Sequence, residues 1–166
     1  DYDYNALHWL IQERNPLNFL TKYTRDQNGN VTKVERQADA GATQWQTVQF
    51  TYDVLNNLKT ITDPLNRITT YNYDNNENPI SMVDANTKTT TYQYDERDFL
   101  FKVTDANTPS AGVTQYDYDN NGNLKKILDA KAQATNYTYD LFDRLDVMTY
   151  ADGSTVNYDY DKNSNL

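Results

Sequence analysis

One short motif, repeated at a fixed interval, limits what this chain can fold into. The tetrapeptide Tyr-x-Tyr-Asp occurs intact five times, as Tyr71-Asn72-Tyr73-Asp74, Tyr92-Gln93-Tyr94-Asp95, Tyr116-Asp117-Tyr118-Asp119, Tyr137-Thr138-Tyr139-Asp140 and Tyr158-Asp159-Tyr160-Asp161. Altered copies are Tyr2-Asp3-Tyr4-Asn5, Tyr23-Thr24-Arg25-Asp26 and Phe50-Thr51-Tyr52-Asp53. Successive copies end at residues 5, 26, 53, 74, 95, 119, 140 and 161, at intervals of 21, 27, 21, 21, 24, 21 and 21 residues. Self-similarity at such a period is the mark of a repeat architecture, in which each repeat buries its apolar face against its neighbours.

Other positions keep the same phase. Five residues past the motif stand Leu10, Val31, Leu58, Pro79, Leu100, Leu124, Leu145 and Leu166. Eight past it stand Glu13, Val34, Ile61, Met82, Val103, Ile127 and Met148. Ten past it stand Asn15, Arg36, Asp63, Asp84, Asp105, Asp129 and Tyr150. One repeat therefore reads as two strands and two turns. In Tyr-x-Tyr both rings point to one face of a strand. The chain carries 21 Thr, 21 Asn and 20 Asp against 4 Glu, a strand-and-turn composition that excludes a mostly helical protein. Asn28-Gly29 and Asn121-Gly122 supply positive φ at hairpin tips, and Pro64 presets φ after Asp63.

Short turns at both ends make neighbouring strands antiparallel. The sequence thus predicts an all-β fold: an antiparallel meander of about fourteen strands across residues 1–166, a single array of about seven repeats. A sheet of that many strands twists, coils or closes. The expectation is a curved or spiralling open sheet, a partial β-shell, with an apolar tyrosine face. The +5 and +8 residues have opposite parity, so either one belongs to the turn or a bulge intervenes. The structural positions are Tyr2, Tyr4, Tyr23, Asp26, Tyr52, Asp53, Tyr71, Tyr73, Asp74, Tyr92, Tyr94, Asp95, Tyr116, Tyr118, Asp119, Tyr137, Tyr139, Asp140, Tyr158, Tyr160 and Asp161. Insertions fall at residues 37–49 and 107–113, both at the second turn, and Trp45 is expected to fold back onto the sheet from the longer one.

The pattern Tyr-x-Tyr-Asp-x-x-x-x-Leu, followed by Asp, a turn and Thr-rich strand, resembles the YD repeat of bacterial RHS proteins, toxin-complex B and C components, wall-associated proteins and teneurins. The resemblance covers essentially the whole chain. It implies a β-sheet strip that spirals into a hollow shell, which in RHS and toxin-complex proteins encloses a C-terminal toxic domain. It implies a secreted or cell-surface bacterial protein. The implied partners are the remainder of the parent shell or an enclosed toxin domain. No RHS core, self-cleaving aspartates or separate toxin region is recognisable. The array starts within a motif and stops five residues into a repeat, so it is expected to be a segment of a longer protein. Exposed edge strands leave it open to edge-to-edge pairing with another copy.

Catalytic chemistry has little to stand on. His8 is the one histidine, and no serine has the context of an activated nucleophile. The carboxylates recur in equivalent environments, whereas acid–base pairs need different ones. Asp117-Tyr118-Asp119-Asn120-Asn121-Gly122 matches half of a calcium loop, but its twelfth position is Leu128 and not the bidentate Glu. No enzyme, metal or cofactor site is therefore expected. A net charge of -9 repels nucleic acid, and no apolar run is long enough to span a membrane as a helix. The reading is a non-enzymatic structural module of a shell wall. The alternative is a cell-surface adhesion module whose tyrosine row, with Asn and Asp nearby, binds carbohydrate or a protein partner.

Overall fold

The computed structural model describes residues 1–38, 44–106 and 112–166. Part of each insertion, residues 39–43 and 107–111, therefore lies outside the described residues. Fifteen strands follow one another: β1 (Tyr2–Tyr4), β2 (Leu10–Arg14), β3 (Leu20–Arg25), β4 (Val31–Gln37), β5 (Trp45–Tyr52), β6 (Leu58–Thr62), β7 (Ile68–Tyr73), β8 (Pro79–Val83), β9 (Thr89–Tyr94), β10 (Leu100–Asp105), β11 (Gly112–Tyr118), β12 (Leu124–Leu128), β13 (Ala134–Tyr139), β14 (Leu145–Thr149) and β15 (Thr155–Asn157). They pair in chain order in one antiparallel meander that does not close. The count exceeds fourteen because seven motif strands and seven intervening ones are followed by β15, which ends just before the last motif.

Two compact units divide the chain. The first holds Asp1–Tyr73 with Met82–Thr87, the second Asp74–Ser81 with Lys88–Leu166. In both, the first turn of each repeat folds the same way. The motif's last residue (Asn5, Asp26, Asp53, Asp74, Asp95, Asp119, Asp140, Asp161) turns its Oδ1 back onto the chain. It accepts the backbone N–H groups two and four residues on, at 2.8–3.1 Å. The fourth turn residue then takes positive φ: His8, Gly29, Asn56, Glu77, Asp98, Gly122, Asp143 and Ser164. The second turn uses the same device at Asn15, Asp63, Asp84 and Asp129, with Asn18, Asn66, Thr87 and Ala132 at positive φ, while the turn opened by Tyr150 has no such cap and places Gly153 there. Only three of these thirteen residues are glycine. The side-chain cap makes the left-handed position tolerable for His, Glu, Thr and Ala, which ordinarily avoid it.

The parity question is settled by bulges. In every first-turn hairpin whose register is defined, one residue at +6 is left without a partner: Ile11, Thr32, Lys59, Phe101, Lys125 and Asp146. A bulge shifts the following residues by one, so +5 and +8 reach the same face. The +5 residue sits opposite the second motif residue, as in Tyr52↔Leu58 and Tyr118↔Leu124. The +8 residue sits opposite the first, as in Tyr23↔Val34, Tyr92↔Val103, Tyr116↔Ile127 and Tyr137↔Met148. Aromatic–aliphatic cross-strand pairs of this kind each add about 0.2–1 kcal/mol.

No described hydrophobic residue is buried. The chain exposes 11647 Å²; a globular monomer of this mass exposes roughly 8,500 Å². The tyrosine face is half-buried by lateral contact within one sheet layer. Trp45 lies in the sheet itself: it opens β5 opposite Gln37, with the Lys22 ammonium of β3 4.6 Å from its ring.

Candidate functional site

The residues singled out by the repeat converge on two features, a hydroxyl ladder and a row of coupled turns. The ladder uses the second motif tyrosine. Its ring lies beside the +5 residue of its own repeat, while its hydroxyl reaches back and donates to the +5 carbonyl of the repeat before. Tyr52 donates to Val31 at 2.9 Å, Tyr73 to Leu58 at 2.9 Å, Tyr94 to Pro79 at 3.1 Å, Tyr118 to Leu100 at 2.9 Å and Tyr139 to Leu124 at 2.9 Å. Desolvation by neighbouring side chains, followed by nearby negative charge, raises all five tyrosines above their ordinary pKa. The neutral hydroxyl is thus the form the fold selects, and only that form can donate.

Each of these tyrosines therefore pins one repeat to the one before. Tyr23, the first tyrosine of an altered motif, donates instead to the Glu13 carboxylate at 2.9 Å. Arg25 stands where the second tyrosine would be and donates to the Gly29 carbonyl at 2.8 Å. Tyr71, Tyr92 and Tyr116 are half-buried, whereas Tyr2 and Tyr4 are 66% and 58% exposed. Tyr158 and Tyr160 lie beyond β15, outside any strand.

The turn row was not visible in the sequence. Within each compact unit, the last residue of one first turn meets the positive-φ residue of the next first turn, and the two are matched. Asn30 donates to Asn56 at 2.8 Å, Asn78 to Asp98 at 2.7 Å and Asn123 to Asp143 at 2.7 Å. Asn28, Asn76 and Asn121 add second donors to the same acceptors. Where the residue is aromatic, the partner is glycine: a Cβ on Gly29 would lie 3.1 Å from the Trp9 ring, and one on Gly122 would lie 2.9 Å from Phe99. Phe99 also stacks on Tyr118 at 5.0 Å between ring centroids. Where it is Arg144, the partner is Ser164, at 3.2 Å. Arg144 is held on Asp140 at 2.6 Å and lies against the Tyr160 ring at 4.5 Å.

The turn carboxylates are kept ionised by the bonds they accept. Backbone N–H groups, Asn57 and Phe99 foremost, hold Asp53 and Asp95 below the ordinary carboxylate range. Side-chain bonds from Arg67 and Arg144 do so first for Asp63 and Asp140. At Asp26, Asp74 and Asp119 desolvation is the largest influence and pushes upward, but bonds led by Asn30, Asn78 and Asn123 outweigh it. These carboxylates are occupied as turn caps. Asp117 of the half calcium loop points from an exposed strand position while Asp119 caps its turn. Among the described residues no cluster of His, Asp or Glu could hold a metal ion. His8 is a turn residue at φ 59°, donating its backbone N–H to Asn5 at 3.0 Å.

The Teneurin YD-shell family model matches residues 2–166. The chain belongs to this YD-shell family. No curated protein matches the sequence. Among solved structures, the chain is similar to part of the Photorhabdus luminescens Tc holotoxin pore, with a TM-score of 0.79 at 14% identity over 94% of this chain. It is also similar to part of a TcdB2-TccC3-Cdc42 structure, with a TM-score of 0.60 at 10% identity over 96% of this chain. A TcdB2-TccC3 structure gives 0.52 at 17% identity over 86%. The YD-shell segment spans only 9%, 11% and 10% of those chains, and at such identity the likeness concerns the fold.

Proposed function

We propose that this YD-shell segment is a non-enzymatic length of wall in a larger secreted shell of the RHS or toxin-complex type, which encloses a further polypeptide domain. The observation that carries this reading is the hydroxyl ladder. It commits the repeat's most regular side chain to joining one repeat to the next, which is what a wall needs and what a catalytic cleft does not. The family match over residues 2–166 and the likeness to Tc toxin structures support it. The turn carboxylates, which an acid–base mechanism would require, are engaged as caps.

The test uses the absence of cysteine from this chain. Gln93, on the exposed polar face, and Val156, opposite Met148 on the tyrosine face, are replaced singly by cysteine within the full-length parent. A bulky polymer-linked maleimide should label one site in the intact parent and both in the isolated 166-residue chain. Equal labelling of both sites in the intact parent would contradict an enclosing wall.

A further inference from the structure

The tyrosine face of the first compact unit breaks its own pattern at one place. Glu13, Thr21, Arg36 and Gln46 are successive cross-strand partners on β2, β3, β4 and β5, forming a polar row across four strands. Beside it runs an apolar row in which Tyr23 faces Val34 and Val34 faces Val48. Arg36 stands where later repeats place a turn aspartate, such as Asp63, Asp84 and Asp129.

Arg36 is unlike the other five arginines of the chain. Arg14 is bonded to Asn18, Arg25 to Gly29, Arg67 to Asp63, Arg97 to Asp95 and Arg144 to Asp140. The Arg36 side chain makes no hydrogen bond or ion pair among the described residues, in a chain with an excess of nine negative charges. Exposed Arg36 borders a hollow of about 200 Å³ whose other lining residues are Val34, Gln46, Val48, Phe50 and Pro64.

We propose that this hollow holds an extended polypeptide segment in which an apolar side chain lies within two residues of a carboxylate. The apolar side chain enters between Val48, Phe50 and Pro64, and the carboxylate takes the paired N–H groups of Arg36. Residues two apart on an extended chain lie about 7 Å from one another on one side, so one side chain can enter the hollow while the other reaches the guanidinium at its border. β4 and β5 have their backbone groups engaged with each other, so selectivity resides in side chains. A sugar ring fits less well, because its hydroxyls would lose water against valine and proline without gaining partners. This site is a property of the isolated chain and does not depend on enclosure by a shell.

The experiment is fluorescence anisotropy on the full 166-residue chain with a labelled Ser-Leu-Ser-Glu-Ser peptide. Two control peptides replace Glu by Gln and Leu by Ser. Saturable binding of the first peptide is expected, at least tenfold tighter than either control. Arg36→Gln should lower the affinity for the Glu peptide to that for the Gln peptide while leaving Tm nearly unchanged. Equal affinity for the Glu and Gln peptides, undiminished binding to R36Q, or no saturation at millimolar concentration would overturn the proposal. So would a uronic-acid oligosaccharide that binds tighter than the peptide and displaces it.

Discussion

The repeats between Tyr2 and Arg36 and those between Thr89 and Thr149 share a backbone but differ in side chains. The later repeats put Tyr92 opposite Val103 and Tyr116 opposite Ile127, and they bridge successive repeats through Tyr94, Tyr118 and Tyr139. The early repeats put exposed Tyr2 opposite Glu13, use Arg25 in place of a bridging tyrosine, and cap two turns with Asn5 and Asn15. Strand pairing and turn geometry are nevertheless the same. The hairpin is therefore specified by the turn cap and its left-handed residue, and the tyrosines add cohesion between repeats that the turns have already shaped. Asn at the cap also shows that an accepting oxygen suffices; the charge is secondary.

The largest perturbation should come from alkali, which acts on the whole ladder. Tyr52, Tyr73, Tyr94, Tyr118 and Tyr139 have folded pKa values raised above 10.0. Their contribution is complete below pH 10 and is lost as pH rises through the raised values. Tyrosinate absorbance should therefore rise together with loss of the β-sheet circular dichroism signal. Free ionisation of all tyrosines near pH 10 with the sheet intact would break the comparison.

Single substitutions sharpen it. Tyr118→Ala removes a ring stacked on Phe99 and a bridge to Leu100, and should cost about 2–4 kcal/mol in urea unfolding. Tyr118→Phe, which removes the bridge alone, should cost about 1 kcal/mol. Arg25→Tyr should do the reverse, stabilising the first unit by up to about 1 kcal/mol by supplying a hydroxyl-to-carbonyl bridge at a joint that lacks one. Gly122→Ala places a Cβ 2.9 Å from Phe99, whereas Gly153 has nothing within 4 Å. Both suffer left-handed strain of about 1–2 kcal/mol, and Gly122→Ala should suffer clearly more. At the small end, Asp74→Asn should barely move Tm at neutral pH, while Asp74→Ala should lower it by leaving the N–H groups of Asn76 and Asn78 without an acceptor.

The sequence displays the period, the antiparallel meander and the tyrosine–aliphatic face because those depend on residue class at fixed phase. Val34, Val103 and Ile127 are interchangeable members of such a class. The bulge was undecided because +6 has no common chemistry: Ile11, Lys59, Phe101 and Asp146 all serve, being exposed. The left-handed turn position was legible only at Gly29 and Gly122. At Glu77, Thr87 and Ala132 the cap, set three residues earlier, allows residue types that carry no signal of their own. The match between neighbouring turns relates residues 20 to 26 positions apart in paired identities, so Phe99 with Gly122 looks unrelated to Asn78 with Asp98. The lack of a buried core among the described residues follows from their strands forming a single sheet layer.

The ladder has a further consequence at the level of the gene. A tyrosine hydroxyl reaches the same carbonyl position of the preceding repeat whether 15, 18 or 21 residues separate them, as Tyr139, Tyr118 and Tyr52 do. A duplication, a loop insertion or an unequal crossover between copies leaves every joint competent, provided that the turn residues meeting at the new junction are a compatible pair. Such a coding sequence can lengthen or shorten by whole repeats without revising the joints on either side.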